Sequence, residues 1–389
     1  MPPKPYWNVR SDSRSPSAHF TRRRFLQASA AAVSGVALSN CARNLSTGSQ
    51  GANSPEARGG SNSGADNTLH IYTWANYIDE ELIQSFQDAT GIRAIVDIYD
   101  SNEVMLTRLE AGGGSAYSIV YPSDYAVTQM IESDLLAPLD QSQLTGLNNL
   151  KAQWQNPTYD PGNAHSVPAT WGTTGLIYNP ELLGATLTGW DTLYDNIGSL
   201  TRQVTLINDV REVMGATLQY LGYSLNSTNP DEIEAAYEKL LELRPTIAAF
   251  LTNGWEDQLA SGDLTVAMAY SSDALALIEE NPGLEYVVPE TGASLWTDTM
   301  AIPKTAPNVD AAYQWINFVM EPENSARLVE RLKFATPSQA AFDLLPNNLK
   351  TDDDLFPPDS ILHKTAEVAV VPPDIADLYD RYWTQLTSG

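Results

Sequence analysis

Three carboxylates stand next to apolar or aromatic residues in the central part of the chain. Asp209 and Glu212 follow the apolar run 204–207, and Asp298 comes two residues after Trp296. A protonated amine that enters a protein cleft loses its water, which is costly unless counter-charges and hydrogen bonds replace that water. Carboxylates supply both, and the face of an aromatic ring adds about 0.5–2 kcal/mol of attraction. The pattern therefore favours a site for a small organic cation with several separated positive charges.

The spacing of Asp209 and Glu212 has a second interpretation. Three residues apart at a predicted helix start, the two side chains share one face, and the helix N-terminus favours their charged forms. The same spacing is that of a capping box, in which the pair only caps the helix. Arg211 could also neutralise one of the two charges. For Trp74 and Trp296, ordinary core packing is the alternative to contact with a ligand.

The elements that would position these side chains begin at Leu69, where short apolar runs start to alternate with amphipathic stretches. Capping residues mark helix ends: Asp79 and Gly91 bound one helix, and Asn229 with Pro230 begins another. This order predicts an α/β fold with a parallel sheet covered by helices on both faces. The predicted strands are 69–74, 92–98, 118–121, 175–179, 204–208 and 264–270, with an extended segment at 293–302. The predicted helices are 80–90, 103–111, 125–133, 210–221, 230–243, 271–280 and 311–320.

Ligands of open α/β sheets bind beyond the carboxyl ends of the strands, so the turns that follow the predicted strands are the places to search. Four such turns contain polar or aromatic residues. The candidates in these turns and in the extended segment are Trp74, Tyr77, Ser123, Tyr125, Asp209, Glu212, Tyr270, Asp273, Trp296 and Asp298. The tryptophans and tyrosines predict an aromatic box that covers a methylene chain, and the carboxylates predict contacts with amino groups.

Length and charge limit the partners of the chain. It has 389 residues, enough for two domains, and a formal net charge of −26 at pH 7. Without residues 1–40, 16 basic and 47 acidic side chains remain. Such a surface repels phosphates, which disfavours a nucleic-acid partner, and it attracts small cations. Acidity that serves only solubility or a salty habitat is the alternative explanation.

Metal and enzyme chemistry find little support in the sequence. The single cysteine, Cys41, excludes a disulfide within the chain and a thiolate cluster, and the four histidines are scattered. The chain also lacks a Gly-x-Ser-x-Gly elbow, a His-Glu-x-x-His motif and a phosphate loop. We therefore expect no cofactor, no metal and no enzyme activity. An oxygen-only calcium site and a carboxylate pair that cleaves glycosides are the alternatives left open.

The N-terminal residues 1–40 have the layout of an export signal. Thr21 and the arginines at 22–24 precede a mildly apolar stretch, 28–38, which is too short to span a membrane. The segment resembles a twin-arginine signal, which a receptor reads as an address, although Gln27 stands where a basic residue is expected. This signal predicts a periplasmic location.

Cys41 lies where the apolar part of the signal ends. Residues 38–41 resemble a bacterial lipoprotein cleavage box with Cys41 as the lipidated residue, although Asn40 is atypical before the cysteine. Residues 41–67 are rich in Ser, Gly, Asn and Ala and behave as a flexible tether. The order predicts a lipid anchor joined to a working domain by a tether.

From about Leu69 to its end, the chain resembles the spermidine/putrescine-binding proteins of bacterial ABC transporters. Several motifs carry this resemblance, in the same order as in the family. They are Trp74-x-x-Tyr77, Thr90-Gly91-Ile92, Asp100-Ser101-Asn102-Glu103, Pro122-Ser123-x-Tyr125, Ile207-Asn208-Asp209-x-Arg211-Glu212-Val213, Leu221-Gly222-Tyr223, Ile233-Glu234-Ala235-Ala236-Tyr237, Trp296-x-Asp298 and Ala335-Thr336-Pro337.

The resemblance implies a two-lobed periplasmic binding protein fold of type II, in which each lobe is a sheet flanked by helices and the ligand lies in the cleft between the lobes. It implies that carboxylates hold amino groups, that aromatic residues form the box, and that a serine adds a hydrogen bond. The matching positions are Asp209, Glu212 and Asp298 for the carboxylates, Trp74, Tyr77, Tyr125 and Trp296 for the box, and Ser123 for the serine.

Three positions bear on the ligand that the resemblance implies. Tyr270 stands where the family usually has tryptophan, and Phe334 stands where a tyrosine is common. Asp273 resembles the putrescine-preferring branch, whereas the other positions do not choose between putrescine and spermidine. The length of the ligand is therefore open.

The expected organisation is a signal (1–40), a tether (41–67) and two lobes between which the chain crosses more than once. Residues 68–174 with 297–340 form lobe 1, and residues 175–296 with 341–389 form lobe 2. The expected function is that of a monomeric receptor that captures spermidine or putrescine and delivers it to an ABC permease. The alternative is a binding protein of the same fold for another small cation, an amino acid or a metal.

Overall fold

The computed structural model describes residues 67–99 and 101–388. The predicted signal, Cys41 and the tether up to residue 66 lie outside the described residues, as does Asp100. Among the helices that are described, none combines the length and the apolar character needed to cross a membrane.

The described part of the chain alternates strands with helices. The strands are β1 (Thr68–Trp74), β2 (Arg93–Tyr99), β3 (Ile119–Val120), β4 (Ser166–Tyr178), β5 (Val204–Leu206), β6 (Ile247–Phe250), β7 (Val266–Tyr270), β8 (Glu285–Val287) and β9 (Leu295–Ala301). The α-helices are α1 (Glu80–Thr90), α2 (Asn102–Glu110), α3 (Asp124–Glu132), α4 (Ala152–Gln155), α5 (Pro180–Leu183), α6 (Trp190–Asp195), α7 (Val210–Tyr220), α8 (Pro230–Leu243), α9 (Glu256–Ser261), α10 (Ser271–Glu280), α11 (Val309–Met320), α12 (Pro322–Leu332), α13 (Gln339–Leu344), α14 (Asn347–Lys350), α15 (Asp359–Leu362) and α16 (Pro373–Ser388).

The strands are joined in the order β2-β1-β3-β9-β4-β7-β5-β6, and β8 pairs with β4. β1 is parallel to β2 and β3, and β5 is parallel to β6 and β7. β9 is antiparallel to β3 and β4, and β4 is antiparallel to β7 and β8. The prediction of a parallel sheet is therefore wrong for β4, β8 and β9. The chain leaves one part of the sheet along β4 and returns to it along β9, so these two strands run in opposite directions.

β4 belongs to two parts of the sheet. From Ser166 to Thr173 it pairs with β9, and from Thr174 to Tyr178 it pairs with β7 and partly with β8. We call β2, β1, β3 and β9 with the first part of β4 the first half-sheet. The second half-sheet contains β8, β7, β5 and β6 with the rest of β4.

Each half-sheet is buried on both faces. In β1, Leu69 and Ile71 belong to one hydrophobic cluster, and Tyr72 belongs to a second cluster. In β7, Met268 and Ala269 are likewise divided between two further clusters. Successive side chains of a strand point to opposite faces, so this alternation shows that apolar side chains cover both faces of each half-sheet. The two-lobed α/β fold that we expected is confirmed.

The C-terminal part of the chain contributes to both cores. Leu345 and Leu355 lie in a cluster with β1 and α11, whereas Tyr379 lies in a cluster with α7 and α8. Residues 341–356, which we expected in lobe 2, thus pack in the core of the first half-sheet.

Several helix boundaries agree with their predicted capping residues. Asp79 accepts a hydrogen bond from the backbone N–H of Leu82 (2.8 Å), and Gly91 ends α1 with a φ of 70°. Asn229 caps α8 at the predicted position. These agreements arise because capping is a local interaction between residues a few positions apart.

The first part of β4 was not predicted, because it contains Pro168 and Gly172 in an otherwise strand-like segment. The register of β4 against β9 shifts beside Pro168. Such an irregularity admits a proline, which has no N–H to donate to the ladder. The sequence pattern also missed β6, β8 and the helices α4, α5, α6, α9 and α12 to α16.

Candidate functional site

Asp298 lies in β9, opposite Ser123 at the start of α3. Its side chain is buried, and its two oxygens accept hydrogen bonds from the hydroxyls of Ser123 (2.6 Å) and Tyr77. Burial raises the pKa of Asp298 to about 6, and the two hydroxyl hydrogen bonds act in the opposite direction. No basic side chain of the described residues forms an ion pair with this carboxylate. Its charge is therefore available to a ligand.

Asn102 holds the groups around Asp298 in place. Its side-chain amide donates to the hydroxyls of Ser123 (3.0 Å) and Tyr125 (2.9 Å) and accepts from the backbone N–H of Ser123 (3.3 Å). The hydroxyl of Tyr125 in turn donates to Oε1 of Glu103 (3.1 Å). A single amide thus fixes two of the predicted site residues.

Five aromatic rings form a continuous series beside these polar groups. Trp74 lies 6.4 Å from Tyr77, and Tyr77 lies 4.3 Å from Phe334, measured between ring centroids. Phe334 lies 6.2 Å from Trp296, and Trp296 lies 5.9 Å from Tyr270 in an edge-to-face arrangement. The indole N–H of Trp74 donates to the carbonyl of Tyr121 (2.9 Å). Rings in such a series present an apolar surface that fits a hydrocarbon chain.

Asp209 and Glu212 lie at the start of α7 in the second lobe. Asp209 is the N-cap, because its Oδ1 accepts from the backbone N–H groups of Arg211 (2.8 Å) and Glu212 (3.1 Å). Glu212 does not complete a capping box. Its Oε2 instead accepts from the hydroxyl of Ser294 (2.6 Å), and the oxygen of that hydroxyl lies 2.8 Å from the hydroxyl of Thr174. The capping interpretation therefore holds for Asp209 but not for Glu212.

Both carboxylates at this helix start are held in an environment that disfavours charge. Burial raises the pKa of Glu212 to about 7, the charge of Asp209 adds to this, and hydrogen bonds from Ser294 and Thr174 oppose it. Burial also raises the pKa of Asp209. A nearby cation would reverse both shifts.

Arg211 does not form an ion pair with either neighbour among the described residues. Its guanidinium donates to the carbonyl of Ala369 (3.0 Å) and to Oδ1 of Asn226 (3.0 Å), and it lies over the ring of Tyr379 at 5.0 Å. Arg211 therefore fastens α7 to the C-terminal segment. Its charge lowers the pKa of Asp209 and Glu212 without overcoming their burial.

Tyr270 and Asp273 lie where β7 passes into α10. Burial raises the pKa of Asp273 to about 7, and the charge of Glu256 contributes. Burial also raises the pKa of Tyr270 well above its ordinary value, and the charges of Glu212 and Asp209 add to the effect. The phenol of Tyr270 is therefore neutral.

The residues of the two lobes face one another. Tyr270 of β7 contacts Trp296 of β9 (5.9 Å between ring centroids). Burial is the main cause of the raised pKa values of Tyr270 and Tyr125, and the charge of Asp298 adds to the first and that of Asp209 to the second. Asp273 acts in the same way on Tyr77. Ring contacts and hydrogen bonds bring together Trp74, Tyr77, Ser123, Tyr125, Tyr270, Trp296, Asp298 and Phe334, and the charges of Asp209, Glu212 and Asp273 act on the tyrosines of this group.

Sequence reasoning missed several residues that contact the candidates. Asn102 and Glu103 stand in a motif that carried the family resemblance, which was a usable signal. Ser294 and Thr174 gave no signal, because their contact with Glu212 joins residues far apart in the chain. No group of three or more His, Cys, Asp or Glu side chains in the described residues could hold a metal ion.

Comparison with known proteins assigns the chain to a family. Residues 81–357 match the family described as bacterial extracellular solute-binding protein. The chain belongs to this family. A relative from Salmonella typhimurium, the spermidine/putrescine-binding periplasmic protein, is 34% identical over 83% of this chain and 92% of its own length. The putrescine-binding periplasmic protein SpuD of Pseudomonas aeruginosa is 33% identical over 84% of this chain and 93% of its own.

A solved structure is also similar to this chain. The spermidine/putrescine ABC transporter substrate-binding protein PotD of Streptococcus pneumoniae is 35% identical, with a TM-score of 0.75 over 82% of this chain and 98% of its own. These similarities confirm the resemblance to polyamine-binding proteins that the sequence motifs indicated.

Proposed function

We propose that this protein captures a linear polyamine, spermidine or putrescine, in the cleft between its lobes and delivers it to the permease of an ABC transporter. The relatives named above bind such ligands according to their names. The observation that carries the proposal is the state of Asp298. This buried carboxylate accepts two hydroxyl hydrogen bonds, lies beside a series of aromatic rings and has no basic partner in the described residues.

The chemistry of the cleft fits a polyamine better than a single compact cation. A compact metal ion needs several oxygen ligands around one point, whereas Asp298, Asp273 and the Asp209–Glu212 pair lie on three different elements, β9, α10 and the start of α7. Amino groups separated by methylenes match alternating charge and ring surface. Water loss from each ammonium is offset by a carboxylate, and the rings add cation–π attraction.

We further propose that the protein acts by binding alone and as a monomer. Its family is defined by solute binding, and the proposed site uses its carboxylates as counter-charges rather than as an acid and a base. Substrate turnover by the purified protein would contradict this part of the proposal.

The expected layout of the whole chain remains part of the proposal. Residues 1–40 are the twin-arginine-type signal that directs the protein to the periplasm, Cys41 carries a lipid anchor, and the segment up to residue 67 is the tether. We keep the two lobes as expected, except that we place residues 341–356 in lobe 1 because they pack in its core. Mass spectrometry of the exported protein tests both the cleavage site and the lipid.

Calorimetric titration with spermidine and then putrescine tests the function. The protein is first unfolded and refolded to remove bound amines, and its fold is checked by circular dichroism. We expect saturable binding of one ligand per chain, and the tighter ligand shows whether Asp273 shortens the site. Lysine and calcium serve as control titrants. No heat with either polyamine from folded protein would contradict the proposal and favour another ligand of the same fold.

A further inference from the structure

The second lobe contacts the first through one face of α10, the helix that starts beside the proposed site. Ala274, Leu277 and Ile278 of this helix lie in or against a hydrophobic cluster of the second half-sheet. Leu275 belongs instead to the cluster of the first half-sheet, together with residues of β1 and α11. Glu279 follows Leu275 by four residues, so the two side chains share the face of α10 that is turned to the first lobe.

Glu279 forms an ion pair with Lys333, the residue that directly follows α12 of the first lobe. Nζ of Lys333 lies 3.4 Å from Oε1 of Glu279, and it also donates to the backbone carbonyl of Glu330 (2.8 Å). The side chain of Lys333 is 13% exposed and that of Glu279 is 65% exposed. Among the ion pairs between described side chains, this pair alone joins the two lobes.

Arg331 anchors the end of α12 to the start of α1, within the first lobe. Its guanidinium donates to both carboxylate oxygens of Asp79, one of them at 3.1 Å, and to Oε1 of Glu81 (3.1 Å). Lys333 is therefore held in place by its own lobe, directly before Phe334 of the aromatic series. A lysine that is already in place loses little side-chain freedom when the ion pair forms.

The structure shows the cleft in a closed arrangement. Glu212, Trp296 and Asp298 of the proposed site are all buried. A ligand can reach such side chains only when the lobes move apart, and it can leave only in the same way. The rate of ligand release therefore depends on the contacts that hold the lobes together.

The Lys333–Glu279 pair lies far from the point where β4 crosses between the half-sheets. That crossing is at Thr173, whose backbone N–H donates to the hydroxyl of Ser271, the first residue of α10 (3.2 Å). At a rise of 1.5 Å per residue, Glu279 lies about 12 Å farther along the helix than Ser271. Separation of the lobes about this crossing therefore moves Glu279 away from Lys333 more than it moves the start of α10.

We propose that Leu275 and Glu279 of α10, with Lys333 of the first lobe, form a latch that engages when the cleft has closed over its ligand. The proposal rests on the proposed function and adds residues that determine how long the ligand stays bound. None of the three residues belongs to the proposed ligand contacts. Because the latch engages after the ligand has entered, it slows dissociation and leaves the association rate unchanged.

Stopped-flow measurement of tryptophan fluorescence at low salt tests the latch, with whichever of spermidine and putrescine binds the wild type more tightly. Glu279→Gln is expected to release the ligand about threefold to fivefold faster than the wild type, near the upper end of the effect of exposed ion pairs, with an unchanged association rate. Glu280→Gln, which changes the exposed neighbour, is the matched control and is expected to behave as the wild type does. Equal dissociation rates of Glu279→Gln and the wild type would overturn the latch.

The double variant Glu279→Gln/Lys333→Met shows whether the two residues act through each other. In the Lys333→Met background, Glu279→Gln is expected to leave the dissociation rate unchanged, because its partner is already absent. The ratio of the dissociation rates of Glu279→Gln and the wild type should also fall towards one at about 0.5 M salt, which screens exposed charges. The same acceleration in both backgrounds, or at both salt concentrations, would overturn the ion pair as its cause.

Leu275→Ala tests the apolar part of the latch, and Leu277→Ala, on the face of α10 that packs on its own lobe, is the control. Leu275→Ala is expected to release the ligand at least about tenfold faster, because it removes a large buried side chain from the contact between the lobes. Leu277→Ala is expected to lower the melting temperature of the amine-free protein more than Leu275→Ala does, and to leave the dissociation rate unchanged.

The reverse pattern, with a lower melting temperature of amine-free Leu275→Ala and an unchanged dissociation rate, would overturn the latch while leaving the proposed function intact. Absence of binding of either polyamine to the wild type would overturn both.

Discussion

The two sides of the cleft hold their carboxylates in different ways. On the first lobe, Asp298 is fixed by side-chain hydroxyls, and one of these, Ser123, is itself fixed by Asn102. On the second lobe, Asp209 is held by backbone N–H groups of its own helix, and Glu212 is held by Ser294, where β9 begins. On the first side, side-chain hydrogen bonds join Asp298 to Ser123, Tyr77 and Asn102, whereas on the second side each carboxylate is held by a different element. We infer that the first side fixes the position of the ligand and that the second responds to its charge.

The largest expected effect comes from Asp298→Asn. Leaving a buried charge without its partner costs about 3–5 kcal/mol, which corresponds to a loss of affinity of at least about 100-fold. Calorimetry with spermidine and putrescine measures the loss, and thermal unfolding of the ligand-free variant shows whether the fold is retained. A smaller loss here than in Asp209→Asn would reverse the order of importance of the two sides.

The next prediction concerns the pH dependence of polyamine affinity and tests the carboxylates of the second lobe. The pKa is raised to about 7 for Glu212 and Asp273 and to about 6 for Asp298. These carboxyls take up protons as the pH falls from 8 to 6. Over this interval the charged fraction of a group with a pKa near 7 falls about tenfold. We therefore expect affinity to fall at least about tenfold over this interval, and binding at pH 7 to release protons.

The stability of the ligand-free protein depends on the same carboxyls, but it changes with pH in the opposite direction to the affinity for polyamine. Because their pKa values in the folded protein lie above their ordinary values, the stability that they contribute is present at low pH and is lost as the pH rises through about 6 to 7. The rise in melting temperature on adding polyamine should accordingly be larger at pH 8 than at pH 6. A pH-independent rise would contradict the assignment of these carboxylates to the ligand.

A smaller effect is expected from Gly172→Ala, which acts on the aromatic series. A methyl group at this position would lie 2.2 Å from Cζ2 of Trp296 and 2.6 Å from Oγ of Ser271. The indole must shift, at a cost of about 1–3 kcal/mol, and we expect affinity to fall about tenfold. Gly198→Ala is the control, since nothing lies within 4 Å of a methyl group there. If polyamine affinity is unchanged in Gly172→Ala while stability falls, Trp296 only packs the core.

The smallest effect is expected from Ser294→Ala. The variant removes the hydrogen bond to Glu212, which is worth about 1 kcal/mol, so affinity should change only about threefold to fivefold. Ser199→Ala, which removes an exposed hydroxyl with a local carbonyl partner, is the control. A loss of affinity as large as that of Asp298→Asn would show that hydrogen bonds to the carboxylates matter as much on the second side as on the first.

The sequence was most informative where interactions are local. The caps at Asp79 and Asn229 and the bounds of α10 follow from residues a few positions apart. The search at the ends of predicted strands selected candidates whose role in binding stays a prediction. The hydrogen-bond partners of those candidates could not be predicted from the sequence. The contact of Glu212 with Ser294 joins positions 82 residues apart, and neither residue type nor spacing reveals such a pair. Pro168 and Gly172 concealed half of β4 for a related reason, since only the pairing with β9 makes that segment a strand.

β9 occupies a place in the sheet that its position in the chain does not suggest. It lies between β3 and β4, yet it is made only after the whole of the second half-sheet has been synthesised. Until residues 295–301 arrive, β3 and β4 have open edges, and such edges promote aggregation. The first half-sheet therefore cannot be completed until β9 has left the ribosome. Pairing over such long distances folds slowly. A chain cut short before β9 would lack the strand between β3 and β4 and also α16, which packs in the core of the second half-sheet.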